Sequence, residues 1–219
     1  MFLSRVEINR YRRDTIRALA SPQIMHAAIA ASFPSADMAT VSGKVLWRID
    51  NIGKATYILV QSNVRPDFTH IVEQFGLPAS NQTWDTIDAN NFFASIENSQ
   101  VWRFRLRANP VHSVKNPDNS ARGKVFAHVT AKQQKDWLIS RVQKNGFSIV
   151  KSADEYCVDI KETELMKFKR EGDKLTINAV TFEGVLMVED RDQFINSIKD
   201  GIGRAKAYGC GLLTIAKVQ

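Results

Sequence analysis

The sequence has few cysteines and no long apolar run. Only two cysteines, Cys157 and Cys210, occur in 219 residues, which is too few for a disulfide framework, and no Cys/His cluster has the spacing of a zinc site. No apolar segment approaches the roughly 18–20 residues that a membrane helix needs. The first residues alternate apolar and polar side chains, without the apolar block of a signal peptide. We therefore expect a reduced, soluble, cytoplasmic protein without a membrane partner.

Motifs of metal and nucleotide chemistry are also missing from the sequence. Aspartate and glutamate are scattered without a metal-like cluster, which disfavours a two-metal nuclease. The glycine-rich segment 201–211 follows a predicted helix and precedes a predicted strand, whereas a Walker A motif or a dinucleotide fingerprint follows a strand and precedes a helix. We expect no metal and no cofactor.

The chain does have enough apolar residues for a core, and it has an excess of positive charge. Its 219 residues, 44% of them hydrophobic, suffice for one large domain or for two of about 100 residues. The net charge is +7. Residues 101–145 hold ten basic and two acidic residues, a net of +8, which leaves 20 basic against 21 acidic residues elsewhere. Such a concentration of charge favours a polyanionic partner modestly over a solvated helix face with a basic loop.

The predicted secondary-structure elements occur twice in the same order. The first set is a strand at 2–9, an arginine-rich link, a helix from Ser21 to about Ser32, strands at 45–49 and 56–61, a helix at 67–75 and a strand at 83–93. The second set is a strand at 101–108, a helix at 131–145, an extended segment at 147–158, a hairpin of 164–170 with 174–188, a helix at 190–201 and a strand at 212–216. Each set is β-α-β-β-α-β, so we predict an α+β protein of two tandem ferredoxin-like (RRM-like) domains, residues 1–96 and 97–219.

Three arginines on one predicted strand are candidate phosphate ligands. Arg103, Arg105 and Arg107 alternate with apolar residues, so their guanidinium groups share one face of the strand. Like charges stacked in this way repel each other unless an anion lies across them, and the planar fork of arginine suits phosphate. The alternative, about equally favoured by the sequence, is pairing with acidic residues elsewhere in the fold.

The glycine-rich segment 201–211 is a second candidate for phosphate binding. Its glycines allow tight turns that present amide hydrogens outward, and two basic side chains add charge. The residues concerned are Gly201, Gly203, Arg204, Lys206, Gly209 and Gly211. The alternative is a flexible connection that ends the preceding helix with a glycine.

His26 is the candidate catalytic residue. On the predicted helix, His26 lies away from the buried stripe, which is centred on Met25 and Ile29. The alanines that flank His26 leave room for a ligand. A lone helical histidine is more often structural than catalytic. His70 has less in its favour, and His112 and His128 flank the basic loop, where contact with a nucleic-acid backbone is the better interpretation. The two cysteines have no evident partner histidine, and we expect them to be structural.

Several segments, in order over nearly the whole chain, resemble the CasE family of CRISPR repeat-processing endoribonucleases. They are MFLSRVEI at 1–8, the Met25-His26 helix, VLWR at 45–48, WRFRLRANP at 102–110, VTFEGVL at 180–186 and GIGRAKAYGCGLLTIA at 201–216. Two of them, FRLRANP and the glycine-rich segment, are specific to that family.

The resemblance implies a function and site residues. It implies tandem ferredoxin-like domains that bind the stem-loop of each CRISPR repeat in precursor RNA, cleave at the 3′ base of the stem without metal, and stay bound with other Cascade subunits in a prokaryotic cytoplasm. The family's catalytic histidine matches His26, and some relatives have a tyrosine where this chain has Gln23. The basic hairpin that grips the stem in relatives matches Lys167, Lys169, Arg170 and Lys174, and the basic middle loop contributes Lys115, Arg122 and Lys124.

The expected reaction is attack of a ribose 2′-hydroxyl on the adjacent phosphorus, which leaves a 2′,3′-cyclic phosphate and a 5′-hydroxyl. His26 would act as general base or general acid, with nearby cations stabilising the developing charge. The alternative is a non-catalytic RNA-binding scaffold subunit of a ribonucleoprotein complex, in which His26 is only a surface residue. A metal-dependent nuclease is a third, less favoured possibility.

Overall fold

The structure of the protein is a computed structural model. It describes residues 1–33, 45–77, 84–114, 124–170 and 172–218. Two of the predicted RNA contacts, Lys115 and Arg122, lie outside the described residues. Within the described ranges, no helix is both long enough and apolar enough to cross a membrane.

The first half of the chain forms a four-stranded antiparallel sheet with helices. In chain order its elements are β1 (Phe2–Ile8), α1 (Arg13–Ala20), α2 (Pro22–Ala30), β2 (Leu46–Ile52), β3 (Ala55–Ser62), α3 (Thr69–Phe75), β4 (Trp84–Asp88) and α4 (Asn90–Ala94). The sheet order is β2-β3-β1-β4. On β1, Val6 is opposite Ile58 of β3 and Trp84 of β4. The first strand therefore lies between the third and fourth, as in a ferredoxin-like domain.

The second half repeats this order with longer strands. Its elements are β5 (Val101–Ala108), β6 (Val111–Val114), β7 (Lys124–Ala127), α5 (Ala131–Val142), a 3-10 turn (Gln143–Asn145), β8 (Phe147–Ile149), β9 (Lys151–Ser152), β10 (Glu155–Tyr156), β11 (Val158–Arg170), β12 (Asp173–Val188), α6 (Arg191–Asp200), a 3-10 turn (Lys206–Tyr208) and β13 (Leu213–Lys217). The main sheet has the order β11-β12-β5-β13, and β8 also pairs with β12. The predicted α+β class with tandem ferredoxin-like folds is confirmed.

Two predicted segments of the first half differ from the structure. The arginine-rich link contains α1, a helix that buries only Thr15 and Ala18 and exposes most of its polar residues, so little apolar periodicity marks it in the sequence. The predicted strand 83–93 ends at Asp88 and is followed by α4. The Asp88 carboxylate accepts the amide hydrogen of Asn90 at 2.9 Å, which satisfies a free donor at the start of that helix.

Two apolar cores hold the helices on the sheets. The first core packs α2 and α3 on the first sheet through Met25, Ile29, Ile58, Phe68 and Ile71. In the second core, the apolar face of β5 packs under α5 and α6, as its alternating pattern predicts. This second core also includes Met1, Phe93 and Ile96 from the start and the middle of the chain.

A buried guanidinium joins the two sheets. Arg48 of β2 is 1% exposed, and its Nε and Nη2 donate to the Asp50 carboxylate at 2.7 and 2.8 Å. Nη1 donates to the carbonyls of Arg105 and Leu212, both at 3.1 Å, and Nη2 also donates to Thr214 Oγ1 at 2.9 Å. Burial alone would raise the pKa of Asp50, but Arg48 and Arg105 hold this pKa below its ordinary value. One side chain of the first sheet is thus bonded to three residues of the second.

We predict that Arg48→Ala lowers the free energy of unfolding by about 3–5 kcal/mol, because it leaves a buried carboxylate without its bidentate partner. Urea unfolding followed by circular dichroism measures the loss. The matched control is Arg5→Ala, since Arg5 and Asp85 form a 2.7 Å pair with side chains 50% and 44% exposed. That change should cost about 1 kcal/mol or less. Equal losses in the two variants would contradict the role given to Arg48.

Candidate functional site

His26 lies on α2, beside the face that anchors this helix in the first core. Met25 and Ile29 are buried, as the helical spacing predicts, whereas His26 is half-buried. Pro22 occupies the first turn, and the side chain of Ser21 makes no capping hydrogen bond. The Ser21 carbonyl instead accepts the amide hydrogens of Ile24 and Met25. The helix is fixed by its apolar face, which leaves the imidazole at the edge of the packed region.

The end of β11 brings a positive charge close to His26. Burial and the charge of Arg170 lower the pKa of His26 below its ordinary value. The Nη1 atom of Arg170 donates to the Tyr208 hydroxyl at 3.5 Å, and the Tyr208 ring packs edge-on against Phe168, with centroids 4.8 Å apart. The 3-10 turn that carries Tyr208 also contacts α2. The helix that carries His26 is thus in contact with residues from the last quarter of the sequence.

The hairpin of β11 and β12 separates its basic residues onto two faces. Lys169 is directly opposite Lys174, and Lys167 is opposite Thr176. Because Phe168 is buried, strand alternation turns the three lysines to the exposed face and turns Arg170 towards the side of Phe168. Like charges directly opposite each other destabilise a strand pair. An anion bound along this face would remove that repulsion.

The glycine-rich segment packs against aromatic residues more than it faces outward. A Cβ atom at Gly209 would lie 2.9 Å from the Trp47 ring, and one at Gly203 would lie 3.2 Å from the Trp137 ring. The amide of Gly201 donates to the Ser197 carbonyl at 2.9 Å, and that of Gly211 donates to the Arg107 carbonyl at 2.7 Å. The prediction of outward-facing amides is therefore wrong for Gly201 and Gly211, because the protein itself uses both donors.

The two basic side chains of this segment differ in their surroundings. Arg204 is exposed, and Lys206 Nζ donates to the Asp200 carbonyl at 2.6 Å. Lys124, the described member of the predicted middle-loop contacts, is exposed on β7.

The three arginines of β5 do not form a free row of charge. Arg105 pairs with Glu183 and lies 3.4 Å from the Asp50 carboxylate, and Arg107 pairs with Glu164. Both pairs correspond to the alternative interpretation, in which acidic residues of the fold neutralise the row. Arg103 is exposed and stays a predicted RNA contact.

The remaining histidines and cysteines have distinct surroundings. His70 Nε2 lies 2.9 Å from the Ala28 carbonyl, so it supports α2. The rings of His112 and His128 lie 4.8 Å apart at the base of the β6–β7 hairpin. Cys210 is buried, and burial raises the pKa of its thiol to about 11, which keeps it protonated at neutral pH. The described residues hold no group of three histidine, cysteine or acidic side chains that could bind a metal ion.

Sequence reasoning missed two residues that shape this site. Tyr208 lies within a segment chosen for its glycines, and nothing in the sequence indicates that its hydroxyl meets Arg170. The sequence does contain a signal for Arg48. Arg48 and Asp50 are opposite charges on the same face of a strand that is otherwise largely apolar, which indicates a buried ion pair.

Comparisons with known proteins point to one family. Residues 1–217 match the family model described as CRISPR associated protein. The chain is 28% identical to the CRISPR-associated endoribonuclease Cse3 of Thermus thermophilus, over 99% of this chain and 100% of that protein. It is 26% identical to the CRISPR system Cascade subunit CasE of Escherichia coli, over 72% of this chain and 79% of that protein. The structure of Thermus thermophilus Cse3 bound to an RNA representing a pre-cleavage complex has a TM-score of 0.82 and 28% identity, and the match covers 99% of this chain and 98% of that one.

We predict that Arg170→Gln raises the pKa of His26, because the Arg170 charge disfavours protonation of the nearby imidazole. An NMR titration of the protein without RNA measures this pKa, with the resonance assigned by its loss in His26→Ala. The control is Lys144→Gln, which removes an exposed positive charge from the turn after α5. If the two variants gave the same pKa as the unaltered protein, Arg170 would not be the neighbour that we infer.

Proposed function

The chain belongs to the CRISPR-associated protein family, among its CasE-type members, and on that premise we propose that it is a metal-independent endoribonuclease. Its substrate is the stem-loop of CRISPR repeats in precursor RNA, which it cleaves at the 3′ base of the stem. It stays bound to the mature guide RNA as a Cascade subunit in the cytoplasm of a prokaryotic cell.

One observation carries the proposal: a half-buried histidine lies beside an arginine of a hairpin whose exposed face carries three lysines. RNA cleavage without a metal ion needs a group that exchanges a proton near neutral pH and a cation close to the phosphate. His26 and Arg170 supply these two properties together. The enzyme name, RNA-bound structure and Cascade subunit among the relatives support the same function.

The reaction is an intramolecular transesterification, in which the phosphoryl group of the RNA is transferred to the adjacent 2′-oxygen. The 2′-oxygen of the ribose forms a bond to phosphorus as the bond from phosphorus to the 5′-oxygen breaks. The 2′-hydroxyl proton passes to a base, and the 5′-oxygen takes up a proton, so the products are a 2′,3′-cyclic phosphate and a 5′-hydroxyl. Because burial and Arg170 lower the pKa of His26, the neutral imidazole is favoured in the free protein, which suits it to accept the first proton.

The basic residues on the two faces of the hairpin have different proposed roles. Arg170, on the side of His26, is suited to stabilise charge that develops on the phosphate. Lys167, Lys169 and Lys174 are suited to hold the backbone of an A-form stem, which proteins recognise mainly through phosphates and 2′-hydroxyls. Holding the stem aligns the attacking 2′-oxygen with the phosphorus, and this alignment itself lowers the barrier.

We propose a division of the chain between residues 96 and 97. On this division the N-terminal domain contributes His26, and the C-terminal domain contributes the hairpin and the glycine-rich segment. The catalytic site is then completed only where the two domains meet.

We predict that His26→Ala slows cleavage of a repeat stem-loop by about 10²–10⁴-fold, because one proton transfer loses its catalyst. Affinity for the RNA should change by less than about threefold, since phosphate contacts dominate binding. Single-turnover cleavage in EDTA measures the rate, and filter binding measures the affinity.

Two controls accompany this experiment. An RNA with a single 2′-deoxy substitution at the cut site should bind and stay intact. His70→Gln, which changes a histidine that also contacts α2, should retain cleavage. Cleavage by His26→Ala at the unaltered rate would contradict the assignment, and absence of cleavage by the unaltered protein both with and without EDTA would favour the scaffold alternative. Loss of activity in EDTA would favour a metal-dependent nuclease.

We also predict that RNA binding weakens with salt and that each lysine of the hairpin contributes to the slope. Lys167→Gln, Lys169→Gln and Lys174→Gln should each reduce the slope of log Kd against log salt by up to about 1, the amount expected for one lost phosphate contact. Lys54→Gln, in the exposed turn between β2 and β3, is the control and should leave the slope unchanged. An affinity that does not vary between low and high salt would contradict binding of the stem through contacts between these lysines and its phosphates.

A further inference from the structure

A cavity lies away from His26, at the end of β5. Its volume is about 550 Å³, within the range of cavities that hold small ligands. The β6–β7 hairpin, α5 and the glycine-rich segment form its walls, and no residue of α2 lines it. The family-specific segment FRLRANP ends here, with Asn109 in the wall.

Two buried polar atoms of this cavity have no hydrogen-bond partner among the described residues. Asn109 is 9% exposed, and its Oδ1 is an unpartnered acceptor. Trp137 is 4% exposed, and its Nε1 is an unpartnered donor. Buried polar groups are normally paired. Each of these two atoms has almost no accessible surface, so a ligand with complementary atoms would pair with them after a small shift of the Asn109 and Trp137 side chains.

The cavity also carries uncompensated positive charge. Arg141 and Arg204 both line it, and neither forms an ion pair within the part of the chain that the structure describes. Burial and the charge of Arg204 lower the pKa of Arg141, so the two guanidinium groups are close enough to repel each other. Asp136 is the one carboxylate in the wall. A phosphate group near these arginines would relieve the repulsion.

Flat groups line the same cavity. The guanidinium of Arg141 lies over the Trp137 ring, 4.3 Å from its centroid. The rings of His112 and His128, also in the wall, are 4.8 Å apart, and Phe126 outside the wall stacks on His112 with centroids 6.0 Å apart. Guanidinium planes and aromatic rings are the surfaces on which proteins stack unpaired RNA bases.

We propose that this cavity binds a single unpaired nucleotide of the RNA next to the stem. The flat groups would stack on the base, Asn109 and Trp137 would bond to its edge, and Arg141 and Arg204 would hold its phosphate. A free phosphate would not use the flat groups or the unpartnered Oδ1 of Asn109. A base that is already paired would have no unpaired edge for Asn109 and Trp137. This inference rests on the proposed function and extends it by a site that is distinct from the catalytic one.

The test compares two stem-loop RNAs that differ only in unpaired nucleotides flanking the stem, both with a 2′-deoxy substitution at the cut site. The unaltered protein should bind the flanked RNA at least about fivefold more tightly than the blunt one, roughly the contribution of one stacked base. Arg141→Gln and Asn109→Leu should reduce this gain to less than about twofold and leave the affinity for the blunt RNA unchanged, because neither is among the residues that we assign to binding of the stem.

Asn109→Leu keeps a side chain of similar size and removes an unpartnered buried polar atom, so the fold should tolerate it. Lys132→Gln is the control, because Lys132 is an exposed basic residue of α5 that does not line the cavity. It should retain the full gain. A 4-thiouridine at the flanking position should crosslink to a peptide that contains His112, His128 or Trp137.

An equal gain in all variants, no gain in the unaltered protein, or crosslinks only to other peptides would overturn the nucleotide site. Since the blunt stem-loop is bound and cleaved independently of this cavity, these results would leave the proposed function intact. Failure to bind the blunt stem-loop would instead overturn the proposed function and, with it, this site.

Discussion

The bonds of one buried guanidinium determine how the two sheets meet. Arg48 reaches from the first sheet to two carbonyls and a hydroxyl of the second, and its charge is balanced by Asp50. Hydrogen bonds of a guanidinium are directional, so these partners specify one orientation of the two sheets. Apolar packing alone would specify that orientation less sharply. Gln61 adds a similar contact by donating to the Ile198 carbonyl at 2.9 Å. Two ferredoxin-like units therefore act as one scaffold.

The surroundings of His26 follow from that scaffold. The helix that carries it is anchored by Met25 and Ile29 in the first core, whereas Arg170 and Tyr208 belong to the second half. Partial burial and a nearby cation act in the same direction on the imidazole, and both favour its neutral form. An imidazole and a guanidinium are thus brought together by the contact between two units, neither of which holds both.

Patterns within one segment predicted much of this structure, and contacts between distant segments explain most of what was missed. Alternation in β5 and the β11–β12 hairpin predicted the second sheet, and helical spacing predicted the buried face of α2. The carboxylates that pair with Arg105 and Arg107 lie 78 and 57 residues away, so only the fold brings them close. The sequence suggests flexible turns at the glycines of segment 201–211. In the structure, the Trp47 and Trp137 rings leave little room for a side chain at Gly209 and Gly203. The position of His26 on its helix was predictable, but its neighbours were not.

The position of these neighbours along the chain has a consequence for biosynthesis. His26 precedes Tyr208, which lies on the turn packed on its helix, by 182 residues and so leaves the ribosome well before it. The first sheet can fold while translation continues, but the nascent protein lacks Arg170 and Tyr208 until the second half of the chain has been made. A chain whose synthesis stops between the two sheets therefore carries the histidine without these neighbours.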